Sequence, residues 1–137
     1  MIAIAARMSR FDESASARAS SHARALQAQG CDILALTTGE PDFPTPEHVK
    51  EAAIAAMRSE KTKYTNVDGT PELKEAVAAK FKRENGLDYS AADVIVTAGA
   101  KQAIYNALAA TLEDGEEVLI PSPYYTSYFQ AIRYCGG

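Results

Sequence analysis

Tryptophan is absent from the 137 residues, and cysteine and histidine occur only twice each. Cys31 and Cys135 lie too far apart for a metal-ligand spacing and are too few for a disulfide framework. A reducing compartment is the simplest reading, with both thiols expected to be buried as small hydrophobes and no metal site read from the sequence. Positive charge is scarce too: 14 lysines and arginines against 18 acids leave a net charge of -4. The cations are scattered along helical stretches, which excludes the basic stripe that nucleic-acid binding requires. No apolar run approaches the length needed to cross a bilayer. Met1 to Arg10 carries two arginines and no continuous apolar run with a cleavage-like end, which argues against a secretory leader. The expectation is a cytoplasmic protein.

What is there is the composition of an ordinary globular domain, 47% hydrophobic. No fixed-period repeat occurs, and the alanine-rich run Ala15 to Ala28 has a helical explanation. Ser14 can cap a helix that Gly30 ends in a left-handed residue. Ile33 to Leu36 is a short apolar run of strand length, delivering Gly39-Glu40-Pro41-Asp42-Phe43-Pro44 to a turn. Thr45-Pro46-Glu47 supplies a cap oxygen, a proline at the first helical position and an acid at the positive end of the dipole, so a helix is predicted to about Arg58. Ser59 to Gly69 reads as polar loop containing Tyr64; Thr70-Pro71-Glu72 repeats the start signature, and Asn85-Gly86 ends that helix. Val94 to Val96 then reads as a buried strand, Ala98-Gly99-Ala100 as a tight turn, Lys101 to Leu112 as a helix and Val118 to Ile120 as a second strand. Strand, glycine turn, helix, strand indicates an α/β layer architecture with a mostly parallel sheet. A last helix is predicted within Ser127 to Cys135.

Three places could carry chemistry. Gly99 permits close backbone approach, and the amides of Ala100 and Lys101 would be unpaired donors at a helix N-terminus, which attracts phosphate. Such turns are common in α/β proteins and most bind nothing, so this one alone decides little. Tyr124 and Tyr125 follow the second strand, where ligand crevices form; an aromatic there could stack on a planar cofactor, or pack inside or at a subunit contact. In Gly39 to Pro44 the glycine frees an amide while Pro41 and Pro44 stiffen the rest of the loop, which suits a carboxylate and equally an ordinary turn.

In order, Gly39-Glu40-Pro41-Asp42-Phe43, Lys63-Tyr64 with Gly69-Thr70-Pro71-Glu72-Leu73, Thr97-Ala98-Gly99-Ala100-Lys101-Gln102-Ala103 and Pro121-Ser122-Pro123-Tyr124-Tyr125 resemble class I aminotransferases of fold type I, most closely the bacterial aspartate aminotransferase branch. The resemblance implies pyridoxal 5'-phosphate as cofactor and an L-amino acid, aspartate or similar, and a 2-oxo acid as substrates, exchanging an amino group by a ping-pong route. It implies a homodimeric parent. Residues 1–45 would be an N-terminal arm, helix and substrate loop of the small domain, and 46–137 the first part of the large cofactor-binding domain.

By the same resemblance, the Gly39 amide meets the substrate α-carboxylate, and Tyr64 hydrogen-bonds the phosphate of the partner subunit's cofactor. Gly99, Ala100 and Lys101 cup the phosphate of their own subunit, and Tyr125 stacks on the cofactor ring beside the substrate. Two positions depart from the pattern: Tyr125 stands where aspartate-preferring relatives usually have tryptophan, and Asp12 where the segment often carries lysine. The family places the Schiff-base lysine beyond residue 137, together with an aspartate, an asparagine and a carboxylate-clamping arginine; Lys101 is not that lysine. The chain by itself is therefore expected to be inactive, and to be aggregation-prone through unpaired strand edges. The rival readings are a lyase or cyclopropane-forming synthase on the same scaffold, a non-catalytic phosphate- or nucleotide-binding module built from Val94 to Ile120, and a truncated product without function of its own.

Overall fold

Among the described residues, 3–10 and 14–137, the computed structural model holds five α-helices, of which α1 and α3 open at side-chain caps read in the sequence. They fall into two units, Met1–Pro41 with Ala100–Gly137, and Asp42–Gly99.

In the first unit, α1 (Ala15–Ala28) starts where the Ser14 hydroxyl accepts the Ala17 amide at 3.2 Å. It ends before Gly30, whose φ of 85° only glycine adopts without strain. The chain then returns along the helix: Gln27 Nε2 donates to the Ile33 carbonyl at 3.1 Å, and the buried Ser20 hydroxyl meets Thr37 Oγ1 at 2.9 Å and Thr38 Oγ1 at 3.0 Å. Ser20 and Ala23, three residues apart, form the buried stripe of α1. Helices α4 (Ala100–Thr111) and α5 (Thr126–Cys135) pack together, with the Tyr105 and Tyr134 rings 5.7 Å apart and Ile132 buried. Their far ends are joined by Gly115 N–H donating to the Gly136 carbonyl at 2.9 Å. Arg10 grips both Asp114 oxygens, at 3.0 and 3.2 Å, in a fork whose planar geometry suits carboxylate.

In the second unit, α2 (Glu47–Arg58) begins one residue later than its signal suggests. Thr45 does not cap it; Pro46, at ψ 141°, is the residue outside the helix, and its carbonyl accepts from Val49 at 3.0 Å. Helix α3 (Pro71–Lys80) agrees closely with the sequence: the Thr70 hydroxyl accepts from the Leu73 amide, Pro71 takes the first position, and a π-helical turn, Phe81–Asn85, runs into Gly86 at φ 68°. Ser90 and Asp93 then exchange side-chain and backbone hydrogen bonds, which hold the Asp93 carboxyl below the usual carboxylate range. Ala78 and Val94 are the buried apolar residues of this unit.

Two expectations are not met among the described residues. The segments predicted as strands, Ile33 to Leu36, Val94 to Val96 and Val118 to Ile120, are non-helical, and none of the described residues forms a strand ladder. Val94 has extended dihedrals (φ -109°, ψ 130°), but a strand exists only where a neighbouring backbone lies about 4.8 Å away to take its hydrogen bonds. Cys31 is exposed and Cys135 half-buried, so neither is the buried hydrophobe expected: Cys31 lies in the surface segment after Gly30, and Cys135 is the last residue of α5. Asp12 lies outside the described residues.

In the first and last of these segments the leucines are also bare. Leu34 is 89% exposed, Leu36 90% and Leu119 97%. Burying one such side chain contributes about 1.5–3 kcal/mol, so contact between copies is favoured. Size-exclusion chromatography should show a monomer fraction that falls with rising concentration, and thermal melting should be broad. The double variant Leu34→Lys/Leu119→Lys should raise the monomer fraction; a sharp melt of a concentration-independent monomer in the unmodified chain would contradict this.

Candidate functional site

Helices α1, α4 and α5 all begin at the rim of one recess of about 560 Å³ in the first unit. Ser14 and Ser16 reach it from the start of α1, Lys101 from the first turn of α4, and Tyr125, Thr126 and Ser127 from the start of α5. Helix starts point unpaired N–H groups outward, and each carries roughly half a positive charge. Among the residues lining the recess, Lys101 alone bears a formal charge, and the others are mainly hydroxyls. The geometry favours an anion.

Gly99 precedes α4 with φ 90°, and a side chain there would meet no neighbour, so backbone conformation alone demands glycine. The turn is closed by Gly99 N–H donating to the Thr97 carbonyl at 2.8 Å and by Thr97 Oγ1 donating to the Gly99 carbonyl at 3.0 Å. The Gly99 amide is therefore engaged within the turn, and the next two amides, of Ala100 and Lys101, have no intrahelical acceptor before them.

Tyr125 is the residue just outside α5, and its ring stands edge-on to Tyr128 at 5.7 Å and 86°. The Lys101 ammonium lies 5.6 Å from its centroid, within cation–π range. Hydrogen bonding with Ser127 first, then the hydrogen bond and charge of Lys101, hold the Tyr125 phenol below the ordinary tyrosine value, against the opposing effect of desolvation. Gly39 lines the same recess; a side chain there would meet nothing, so no contact within the chain explains the glycine.

The recess thus collects Gly39, Lys101 and Tyr125, and Ala100 is Lys101's neighbour in the first turn of α4. Tyr64 belongs to the second unit, in the loop after α2, fully exposed. The hydroxyls of Ser14, Ser16, Thr37, Thr38 and Ser127 had no functional reading in the sequence. For Ser16 and Ser127 the signal was spacing: Ser16 and Ser20 are four residues apart on α1, Ser127 and Gln130 three apart on α5, and each pair falls on one helical face.

The family model for class I and II aminotransferases matches residues 31–137. The chain belongs to that family. It is 52% identical over its full length to a probable aspartate/prephenate aminotransferase of Rhizobium leguminosarum bv. phaseoli, covering 34% of that protein. With the aspartate/prephenate aminotransferase of Thermus thermophilus the identity is 48%, again over the whole chain and 36% of the relative. Among solved structures, the Thermus thermophilus aspartate aminotransferase with maleate superposes with a TM-score of 0.94 at 48% identity, and the Rhizobium meliloti aspartate aminotransferase with 0.93 at 46%; the whole chain is covered in both, against 36% and 34% of those chains. The aminotransferase chain therefore spans about a third of the length of the relatives it matches.

The ionisation of Tyr125 tests this arrangement. A depressed phenol adds stability that is fully present above the unfolded value of about 10 and is lost as pH falls through the lower, folded value. Phenolate absorbance during alkaline titration should show one tyrosine ionising ahead of the rest. Lys101→Met and Ser127→Ala should each move that midpoint upward; if neither does, the contacts to Tyr125 are not those described.

Proposed function

We propose that this chain supplies the phosphate- and ring-binding part of an aminotransferase site that uses pyridoxal 5'-phosphate to exchange an amino group between an L-amino acid, aspartate or similar, and a 2-oxo acid. The single observation that carries the reading is the meeting of three helix starts, the Lys101 ammonium and an aromatic ring in one hydroxyl-lined recess. The cofactor is a planar ring bearing a dianionic phosphate, and the donor set fits it: orphan amides and a cation for the phosphate, an aromatic face for the ring. In this reading the amides of Ala100 and Lys101, presented by the Gly99 turn, hold the phosphate, and Tyr125 lies against the pyridine. Gly39, whose Cα faces open space, offers its amide to the substrate α-carboxylate. The exposed Tyr64 reaches the phosphate of a partner subunit, which makes the working protein a homodimer.

When bound, the cofactor supplies an electron sink for negative charge at the substrate α-carbon. The residues of this chain bind and orient: Lys101 steadies the Tyr125 ring from its face, Tyr128 from its edge, and Ser127 holds its phenol. The likeness to class I and II aminotransferases supports placing the lysine that carries the cofactor and moves the proton outside these 137 residues, and in this reading the chain alone is inactive. Residues 1–45 form the arm and substrate loop, and 46–137 open the cofactor-binding domain. Aspartate and prephenate appear in the relatives' names, and a structural neighbour carries maleate, a dicarboxylate, which supports an acidic substrate. Those names favour an aminotransferase over a lyase, a synthase or a nucleotide-binding module.

Pyridoxamine phosphate and pyridoxamine differ only in the phosphate. In titrations of the dilute chain monitored by cofactor fluorescence, the phosphorylated form should bind about tenfold or more tightly. Lys101→Glu should remove that preference by reversing the one charge in the recess. Equal binding of the two, or tighter binding of a nucleoside phosphate, would sink the proposal.

A further inference from the structure

Of the glycines in the second unit, Gly69 is the one faced closely by another side chain, while a methyl group at Gly86 or Gly99 would meet nothing. Its φ is 109°, and a methyl group added there would stand 2.6 Å from Val96 Cγ2 and 2.9 Å from Val96 Cβ. The second distance matters more, because turning a side chain about its own Cα–Cβ bond leaves Cβ in place, and valine is in any case stiff about that bond. Relief requires Val96 to move with its backbone. That backbone is tied to the same spot: the Val96 amide donates to the carbonyl of Asp68 at 2.9 Å.

Asp68 is itself anchored. Its carboxylate pairs with Lys74, whose ammonium holds it below the usual carboxylate range, and the Lys74 amide donates to the Thr70 carbonyl at 3.1 Å in the first turn of α3. A chain of contacts thus leads from α3 through Asp68 and Gly69 to Val96, and from Val96 directly into the closed Thr97–Gly99 turn.

We propose that Gly69 is a positioning residue for the Thr97–Gly99 turn: its missing side chain lets Val96 seat against the loop before α3, and that seat sets where the turn and the amides after it point. The inference rests on the reading that those amides bind phosphate, and it extends the binding machinery to a residue that touches no ligand. Asp68 and Lys74 serve the same seat.

The test monitors the backbone amide resonances of Thr97 to Lys101 in the isotopically labelled full chain, beside titrations with pyridoxamine phosphate and pyridoxamine. Gly69→Ala should move those resonances and weaken pyridoxamine phosphate about tenfold or more while leaving pyridoxamine little changed, as expected when a binding group is displaced by about an ångström. Removing the opposing methyls, in Gly69→Ala/Val96→Ala, should return most of both signals, although alanine at a positive φ keeps the melting temperature low in each variant. Should Gly69→Ala not fold, Val96→Ala alone should still shift the Thr97 and Gly99 amides by emptying the seat. Turn resonances that stay put in the single variants, or that the double variant fails to restore, overturn the inference. If the resonances respond as described while the unmodified chain shows no preference for the phosphorylated compound, Gly69 still positions the turn and the phosphate reading fails.

Discussion

Everything the recess can do depends on amides that helix geometry leaves without partners. The first amides of any α-helix have no carbonyl behind them, and a protein must cap them, wet them or offer them to a ligand. In α1 the Ser14 hydroxyl takes the Ala17 amide, so that start is partly satisfied from within. In α5 the residue outside the helix is Tyr125, which contributes no side-chain cap and presents its ring to Lys101 instead. In α4 a left-handed glycine folds back on Thr97, and the helix opens without an acidic residue in its first turn. Donors accumulate, no carboxylate lines the recess, and an anion is the natural complement.

Against this polar site stands a thin interior. Among the described residues, Ala23, Ala78, Val94 and Ile132 are the buried apolar side chains, and none of them is aromatic. Leu34, Leu36 and Leu119, which the sequence marks as strand interior, face outward. A β-segment with both edges free has apolar side chains to cover and amides to pair, and one chain segment cannot supply both. The likeness to aspartate aminotransferases at TM-scores of 0.93 and 0.94 shows that the path of the chain is nevertheless that of the family.

Local signals were legible where one or two residues decide the outcome. Ser14, Thr70 with Pro71, Gly30 and Gly86 all act as their chemistry dictates, because capping and positive φ are settled within a turn of chain. Thr45 failed as a cap since the adjoining Pro46 takes the boundary position itself. Cys31 was misread because burial is not a local property: a thiol's preference for the interior has no effect in a segment the fold leaves at the surface. The Gly99 turn, Lys101 and Tyr125 were visible as motifs, whereas Ser127 gained meaning only from its hydrogen bond with the Tyr125 phenol.

By itself the sequence determined the helices, the turns that end them, the absence of a basic face and membership of the aminotransferase family, since each is written in residue type and spacing along one stretch of chain. Only the tertiary structure decided that α1, α4 and α5 open onto one recess, that Lys101 lies over Tyr125, and that Gly69 yields its space to Val96. These depend on distances between residues 24 and more positions apart, and pattern along the chain carries no information about such distances until packing brings the segments together.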